Sequence, residues 1–338
     1  MTPPLLGITM GDPASIGPEV VLKATRQGRE GYRLVVLGDL GVMSETAQRL
    51  GERRRPVPWE LTGSYPDDPA VIPVMPLSQL PAEQRVPGKP TPAGGAASYT
   101  YVEVGTRLTL DGALQGLVTA PISKAMWHAA GYHYPGHTEL LAALTRTPEV
   151  RMMLVGSRLR VILVTTHLAL AQVPAALSAE RIFTTITMAA AHLSCFHGCP
   201  RPRLAVAGLN PHAGEGGAFG DEEERLIAPA VRRAQGQGIA VDGPFPADTL
   251  FVRAVKGEFD AVICLYHDQG LIPLKLLSWE EGVNVTVGLP IVRTSPDHGT
   301  AFDIAGQGKA DPRSMGAAIA LAADMTENRS ANEPSHLS

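Results

Sequence analysis

The sequence has very little cysteine, with only Cys195, Cys199 and Cys264 among its 338 residues. An odd and sparse set excludes the disulfide framework of small secreted domains and is typical of a reducing compartment. Cys195 and Cys199 stand close together, but no second pair accompanies them, so we prefer a solvated helix end to a metal knuckle. The N-terminal segment lacks the basic and apolar regions of a signal peptide. We therefore expect a cytoplasmic location.

Long hydrophobic runs and positively charged blocks are absent as well. The longest apolar run, residues 161–177, is interrupted by His167, Gln172 and Pro174 and is too short to span a bilayer. The formal net charge is −4 and no block of lysine and arginine stands out, which disfavours nucleic acid as a partner. The sequence therefore predicts neither a membrane protein nor a nucleic-acid-binding protein.

Apolar, β-branched runs alternate along the chain with amphipathic segments, which predicts an α/β protein with mainly parallel sheets. The proline- and arginine-rich residues 53–92 are expected to form irregular surface, and residues 327–338 a flexible tail. The predicted strands are Leu5–Met10, Arg33–Leu37, Gly116–Thr119, Arg160–Thr165, Leu204–Ala207 and Ala261–Leu265. The predicted helices lie near Pro18–Gln27, Gly94–Thr109, Thr138–Leu144, Ala179–Leu193, Asp221–Gln235 and Met315–Asp324.

The first predicted strand leads through a Gly-Asp-Pro turn into a helix, in the segment GITMGDPASIGPEVVLKA from Gly7 to Ala24. Units of this kind bind phosphates in many proteins, because the N–H groups at a helix N-terminus attract anions. The loop nevertheless lacks both the Lys-Ser/Thr ending of a P-loop and the G-x-G-x-x-G of dinucleotide-binding folds. Neither common nucleotide fingerprint therefore explains it.

Three histidines follow predicted strands: His167 in VTTHLAL, His212 in LNPHAGEGG and His267 in AVICLYHDQG. The carboxyl ends of parallel strands form the ligand crevice of open α/β sheets, so these imidazoles are placed to converge. Three neutral histidines suit zinc or a similar metal with a fourth position open to substrate. The alternative is that each is a hydrogen-bonded structural residue. The glycines after His212 either let backbone approach a ligand or form a flexible surface loop.

A further group of residues has the character of an anion clamp. Arg293 and Lys275 lie in otherwise apolar stretches, and Thr138 follows His137 at a predicted helix start, where free N–H groups favour negative charge. Asn284 lies in GVNVTVGLP. Each residue alone is more easily explained as structural, but a phosphate or carboxylate substrate would use several at once.

The ordered motifs resemble one family closely. GITMGDPASIGPE, TAPISK, PGHTE, VTTHLAL, LNPHAGEGG, YHDQGL, GVNVTVGLP and RTSPDHGTAFDIAG follow one another over residues 5–325. Together they resemble the 4-hydroxythreonine-4-phosphate dehydrogenase family of pyridoxal phosphate synthesis. The resemblance implies the two-domain isocitrate/isopropylmalate dehydrogenase-like fold, with mainly parallel sheets and a cleft between the domains. It also implies a homodimer with the active site at the subunit interface. We expect residues 1–122 and 296–326 in one domain, and residues 123–295, with the metal ligands and dimer interface, in the other.

The resemblance also implies roles for individual residues. The matching metal ligands are His167, His212 and His267, and the matching substrate-binding residues are His137, Thr138, Lys275, Asn284 and Arg293. The cofactor, NAD or NADP, is expected beside Gly11, Asp12, Asp297, His298 and Thr300. Zinc is the preferred metal, with cobalt, manganese and magnesium as alternatives. Lys275 and Asp248 are candidates for the catalytic base, although Asp248 is more easily explained as a turn or helix-start carboxylate.

The implied reaction is the oxidation of 4-hydroxythreonine 4-phosphate, followed by decarboxylation to 3-amino-2-oxopropyl phosphate. Ser15, Ala218 and the segment SWEEGVN depart from the usual family pattern. These departures leave related substrates open, namely erythronate or threonate 4-phosphate and aromatic cis-dihydrodiol carboxylates. A zinc-dependent phosphoester hydrolase is the alternative of another class, and a catalytically silent phospho-ligand-binding protein is the third.

Overall fold

The computed structural model describes residues 3–26, 31–66 and 68–332. Their contacts divide the chain into two units. The first comprises Met1–Pro148 and Leu289–Thr326, and the second comprises Glu149–Gly288 and Glu327–Ser338. The strands, in chain order, are β1 (Leu5–Thr9), β2 (Arg33–Asp39), β3 (Arg55–Pro58), β4 (Val71–Ser78), β5 (Gly116–Thr119), β6 (Arg151–Val155), β7 (Arg160–Leu163), β8 (Leu204–Ala207), β9 (Val241–Phe245), β10 (Ala261–Cys264), β11 (Val283–Val287) and β12 (Val292–Pro296). The α-helices are α1 (Gly17–Ala24), α2 (Leu40–Arg49), α3 (Pro92–Leu110), α4 (Lys124–Ala129), α5 (His137–Leu144), α6 (Val173–Ala176), α7 (Ala179–Phe196), α8 (Ala228–Gly236), α9 (Ala247–Val255), α10 (His267–Ser278) and α11 (Arg313–Asn332).

In the first unit the strand order is β3-β4-β2-β1-β5-β12, and neighbouring strands are parallel. Helix α3 packs closely on this sheet at Gly105, where an added Cβ would approach Leu117 to 2.7 Å. The carboxyl ends of β1, β5 and β12 are adjacent at one edge of the sheet, which is where the ligand crevice of parallel sheets forms.

In the second unit the order is β11-β6-β7-β10-β8-β9. Strand β6 is antiparallel to both of its neighbours, whereas β7, β10, β8 and β9 run parallel. A core of aliphatic side chains and Cys264 fills the space between this sheet and helices α9 and α10. Burial raises the pKa of the Cys264 thiol, so this cysteine is a packing residue.

The predicted strands and helices are present, so the α/β prediction is confirmed; only the predicted end of the first helix, Gln27, lies outside the described residues. The prediction of irregular surface at residues 53–92 was wrong, because this stretch contains β3 and β4. Proline in β3 is tolerated because β3 is an edge strand, where a missing N–H breaks no ladder. Strand β4 is held by its pairing with β2 and by the burial of Val74.

The contacts place residues 123–148 and 289–295 in the first unit, whereas the sequence prediction placed them in the second. The physical reason is local packing. Helices α4 and α5 contact α3, and the buried Trp127 donates its Nε1–H to Ser98 Oγ at 2.8 Å. Strand β12 pairs with β5.

The predicted flexible tail is also corrected in part. Residues 327–332 continue helix α11, and Asn328 donates to the Phe196 carbonyl at 3.2 Å. Residues 333–338 lie outside the described part of the chain. Across the described residues, none of the helices combines the length and the apolar character needed to cross a bilayer.

Candidate functional site

The opening loop after β1 is locked into one backbone path. Gly11 has φ +76°, and an added Cβ would lie 2.4 Å from the Pro121 carbonyl, so only glycine fits. The Asp12 N–H donates to the same carbonyl at 2.9 Å. Ser15 Oγ donates to the Asp12 carbonyl and accepts from the Gly17 N–H, which closes the turn into α1. Ser15 therefore has a structural role in this loop.

Asp12 is fully buried in this loop. Its Oδ1 accepts from the Ala14 N–H at 2.9 Å, but its buried Oδ2 has no hydrogen-bond partner among the described residues. Burial, opposed by the Ala14 hydrogen bond, raises the pKa of Asp12 from 3.8 to about 6. A buried carboxyl oxygen without a partner indicates that a polar ligand completes this site.

Replacing Asp12 by asparagine is expected to stabilise the protein at pH 8. The pKa of Asp12 rises on folding, so the folded state binds this proton more tightly than the unfolded state does. The stability that the bound proton gives is fully present below pH 3.8 and is lost as the pH rises through about 6. The resulting penalty at neutral pH is roughly 3 kcal/mol. We expect Asp12→Asn to recover about 1–3 kcal/mol at pH 8 and nothing at pH 3.5, measured by denaturant unfolding. Asp111→Asn, on the surface, is the control, and equal stability of Asp12→Asn and wild type at pH 8 would contradict the argument.

A cationic group lies at the neighbouring strand ends of the first unit. Arg293 of β12 is buried and donates from Nε and Nη2 to Thr119 Oγ1 at 3.2 and 2.6 Å. Burial, opposed by the field of Glu139, lowers the pKa of Arg293 to about 9. Thr9, opposite Thr119 in the β1–β5 register, has a buried hydroxyl with no partner among the described residues.

His137 begins α5 beside this arginine, followed by Thr138. Burial lowers the pKa of His137 well below its usual value, and the charges of Arg293 and Lys124 add to the effect. Its Nε2 is buried without a partner among the described residues, and its ring meets Trp127 edge-on at 5.8 Å. A neutral imidazole that lacks a partner, at a helix N-terminus next to a buried guanidinium, is an arrangement suited to an anionic ligand.

Lys124 is a site residue that sequence reasoning missed. It begins α4 and is exposed, and an added Cβ at Gly136 would lie 3.8 Å from its Nζ. The available signal was the TAPISK motif, whose lysine received no role. Together Arg293, His137 and Lys124 form what we call the cationic cluster.

The residues predicted to border the cofactor lie in the loops after β1 and β12. The Ile16 N–H donates to the Thr300 carbonyl at 3.0 Å, which joins the two loops. The Asp297 N–H donates to Ser314 Oγ at 3.1 Å. His298 has a buried Nε2 without a partner among the described residues. The structure thus brings these residues together with Gly11 and Asp12, and their cofactor role stays a prediction.

In the second unit the three predicted metal ligands follow three adjacent parallel strands, β7, β10 and β8. The ends are tied together by hydrogen bonds. Thr165 Oγ1 donates to the Leu265 carbonyl at 2.7 Å, linking β7 to β10. Gln269 accepts from the Leu265 N–H and donates to the Gly208 carbonyl, both at 2.7 Å, linking β10 to β8. Gln269 is therefore a positioning residue that the sequence prediction missed.

The rings of His167 and His267 lie 5.6 Å apart. His267 Nδ1 contacts Asp268 Oδ1 at 2.7 Å, which leaves Nε2 of the same ring to face a ligand, as in histidines that bind metals. His212 lies instead near Phe219, with ring centroids 6.0 Å apart. No group of three histidine, cysteine or acidic side chains in the described ranges has the spacing of a metal site. Two of the three predicted ligands are thus paired within one chain.

The loop that carries His212 is held by Glu223. His212 and the residues up to Gly216 have positive φ angles, and the buried carboxylate of Glu223 holds the start of this loop in place. Glu223 Oε1 accepts from the N–H groups of Leu209 and Asn210, each at 2.7 Å, and Oε2 accepts from Asn210 Nδ2 at 2.9 Å. The sequence analysis interpreted the acidic stretch GDEEE only as the start of a helix, so it missed the role of Glu223 in holding this loop.

The remaining predicted residues lie on α9, α10 and β11 of the second unit. Lys275 Nζ lies 5.4 Å from the centre of the Trp279 ring, and Asn284 is half-buried in β11. Asp248 is exposed in the first turn of α9, where a carboxylate interacts favourably with the helix dipole. Asp248 forms no hydrogen bond or ion pair with the rest of the described chain.

Comparison with known proteins decides the family. The sequence profile described as "Pyridoxal phosphate biosynthetic protein PdxA" matches residues 30–322. A relative from Desulforapulum autotrophicum, named 4-hydroxythreonine-4-phosphate dehydrogenase, is 50% identical over 325 residues, covering 95% of each chain. The chain belongs to the PdxA family.

Other PdxA-family comparisons agree with this assignment. The crystal structure of 4-hydroxythreonine-4-phosphate dehydrogenase from Klebsiella pneumoniae is similar to the chain with a TM-score of 0.88 and 43% identity. The match covers 96% of this chain and 98% of that one. The D-threonate 4-phosphate dehydrogenase of Salmonella typhimurium is 46% identical, over 94% of this chain and 97% of its own length. The predicted isocitrate/isopropylmalate dehydrogenase-like fold of this PdxA-family chain is confirmed.

Proposed function

We propose that this PdxA-family protein is a 4-hydroxythreonine-4-phosphate dehydrogenase that uses NAD and a divalent metal and releases CO2. The observation that carries the proposal is the cationic cluster, in which the buried guanidinium of Arg293 lies beside His137, whose buried Nε2 has no partner among the described residues. The relatives named for oxidation of phosphorylated hydroxy acids support the same substrate class.

The cationic cluster holds one anionic end of the substrate in this proposal. Thr119 Oγ1 fixes the guanidinium of Arg293 through Nε and Nη2, arginine is the usual partner of phosphate and carboxylate, and Lys124 adds charge from the exposed side. The first-turn N–H groups of α5, at His137 and Thr138, complete the set. Lys275 and Asn284 are proposed to hold the rest of the substrate, and Lys275 is the preferred proton acceptor because Asp248 has no contact that would orient it.

The loops after β1 and β12 are proposed to receive NAD, which accepts the hydride from the substrate carbon. Asp12 Oδ2 and His298 Nε2, which are buried and have no partner among the residues that the structure describes, fit a polar ligand in that place. The protein contributes a rigid loop, locked at Gly11, so that the two reacting carbons are held in register.

The donor set of His167, His212 and His267 fits zinc or cobalt. A cation held there would act as a Lewis acid on substrate oxygens during oxidation and decarboxylation. Asp268 would orient the His267 ring, and Gln269 and Glu223 would hold the strand ends that present these histidines. His167 and His212 are exposed and His267 is half-buried, which suits a site that a second subunit completes.

The homodimer in this proposal is supported by an apolar stripe that runs along α10 to Trp279, the residue that follows the helix. Ile272, Leu276 and Trp279 are exposed by 59, 83 and 76% and follow one another at helical spacing, next to Lys275. Exposed stripes of this kind mark protein–protein contacts.

We expect Leu276→Glu to convert a dimer to monomers and to abolish turnover, as measured by analytical ultracentrifugation and NADH formation. Val252→Glu, at an exposed apolar position on α9, is the control. A Leu276→Glu protein that stays dimeric would contradict the assignment of this face.

The function is tested by NADH formation with a panel of substrates. We expect 4-hydroxythreonine 4-phosphate to be oxidised at least tenfold more efficiently than D-threonate 4-phosphate, erythronate 4-phosphate or an aromatic cis-dihydrodiol carboxylate. The threonate compound is the second candidate because of the Salmonella typhimurium relative. Calorimetric titration with NAD separates the dehydrogenases from a phosphoester hydrolase, which would not bind it. Full turnover by metal-depleted protein would overturn the metal part of the proposal.

A further inference from the structure

A cavity lies in the second unit, at the opposite ends of the strands that lead to the three histidines. Its volume is about 180 Å³, enough for a tetrahedral anion and a few waters. Strands β7, β10 and β8 begin here, at Arg160, Ala261 and Leu204. The charged and polar residues that line the cavity are Ser157, Arg158, Arg160, Arg203 and Asp260.

Three guanidinium groups share this cavity with one carboxylate. Arg203 donates hydrogen bonds to both oxygens of that carboxylate, from Nε to Asp260 Oδ2 at 3.2 Å and from Nη2 to Oδ1 at 3.0 Å. Within the described part of the chain, the guanidinium of Arg160 donates a hydrogen bond only to the backbone carbonyl of Asp260, at 3.3 Å. Arg158 has no hydrogen bond or ion pair with any described residue. Against its burial, the hydrogen bonds of Arg203 and the charge of Arg160 lower the pKa of Asp260, so this one carboxylate serves both arginines. Three guanidinium groups against one carboxylate leave an excess of positive charge in the cavity lining.

Unsatisfied polar atoms collect in the same region. Arg160 Nε is buried and has no hydrogen-bond partner among the described residues. His197, which feels the charge of Arg160, and His192 lie outside the cavity lining with ring centroids 5.3 Å apart, and the Nε2 of each is buried without a partner among the described residues as well. Burial lowers the pKa of His197 to about 3, and His192 and Arg160 add to this effect. His197 is therefore neutral near pH 7 and neither adds a positive charge to this region nor balances one. Buried donors of this kind are satisfied by a ligand or by water.

We propose that this cavity binds a small dianion, inorganic phosphate or a phosphate monoester, between Arg158, Arg160 and Arg203. Arg160 is the fixed donor of the site, because its contact with the Asp260 carbonyl and its place at the start of β7 hold it in position. Arg158 lies on the turn between β6 and β7, in which the Gly156 N–H donates to the Leu159 carbonyl. Its exposed guanidinium would bind the anion from the solvent side. The site is separate from the cationic cluster, which belongs to the first unit, and it does not depend on the proposed function.

The test is calorimetric titration of the full chain with inorganic phosphate. We compare wild type with Arg158→Glu and with Arg232→Glu, an exposed arginine of α8 that does not line the cavity. Both variants make the same change in net charge and leave the cationic cluster intact, so phosphate binding at that cluster is common to all three proteins. We expect one binding event to weaken at least tenfold in Arg158→Glu and to persist in Arg232→Glu. Turnover in phosphate-free buffer stays at the wild-type level in both.

Two further measurements make the result decisive. Titration with glycerol phosphate separates a site for monoesters from a site for the free ion, and the proposal expects binding of at least one of them that Arg158→Glu loses. A tungstate soak of crystals is expected to give anomalous density among the three guanidinium groups. Identical isotherms for the three proteins, or equal weakening in both variants, would overturn the proposal.

Discussion

Arg293→Met is expected to lower kcat/KM at least a hundredfold and to leave the melting temperature unchanged or higher. The loss of activity follows because each charge-assisted hydrogen bond to a substrate anion is worth about 1.5–3 kcal/mol, and a forked arginine makes two. The stability effect has the opposite sign. Burial holds the pKa of Arg293 at about 9, below the 12.5 of an exposed arginine, so the buried charge costs roughly 4–5 kcal/mol at any pH below 9. Methionine has a similar volume and carries no such cost.

The measurement is steady-state NADH formation combined with thermal unfolding, with and without phosphate. Phosphate should raise the melting temperature of the wild type more than that of Arg293→Met, because the anion compensates the buried charge. Arg232→Met is the matched control on the surface of α8 and should change neither readout. A large fall in the melting temperature together with a normal KM would mean that Arg293 serves packing through Thr119, and that the cationic cluster is not a substrate site.

The sequence allowed a good prediction of where the three candidate ligand histidines lie in the fold. The alternation of apolar and amphipathic segments is a local signal, and it placed β7, β8 and β10 correctly. Histidines just beyond those strands were therefore expected at one edge of a sheet. The sheet order β7-β10-β8 makes them neighbours, although β8 precedes β10 in the chain. That order depends on long-range pairing and cannot be read from local periodicity.

The missed features share one physical cause. Glu223, Gln269 and Lys124 act through partners that are distant in sequence or through the placement of a whole helix. Glu223 lies in an acidic stretch that ordinarily belongs to a solvated helix start. Strand β4 contains prolines and forms only because β2 and β3 pair with it. Local propensity loses to tertiary pairing in such cases.

The proposed metal ligands give the second large effect, and here we expect His267→Ala to lose bound zinc and at least a thousandfold in turnover. The paired rings of His167 and His267, and the contact of Asp268 with His267, are the reasons. A Lewis acid contributes several kcal/mol to such a reaction, which corresponds to a factor of this size. Asp268→Asn, which removes only the carboxylate behind the ring, should weaken zinc binding about 10- to 100-fold. Zinc content by mass spectrometry and NADH formation are the two readouts, and His133→Ala, at an exposed histidine, is the control.

A mixing experiment shows whether one chain or two supply the ligands. Within a chain, His212 is not grouped with the pair His167 and His267, so we expect the partner subunit to provide the missing imidazole. His212→Ala and His267→Ala should each be inactive alone. Refolded together in equal amounts, half of the dimers are mixed, and each mixed dimer has one intact site and one that lacks both histidines. About a quarter of the wild-type activity should then return. If the three ligands came from a single chain, every site in every mixture would lack one histidine, and no activity would return.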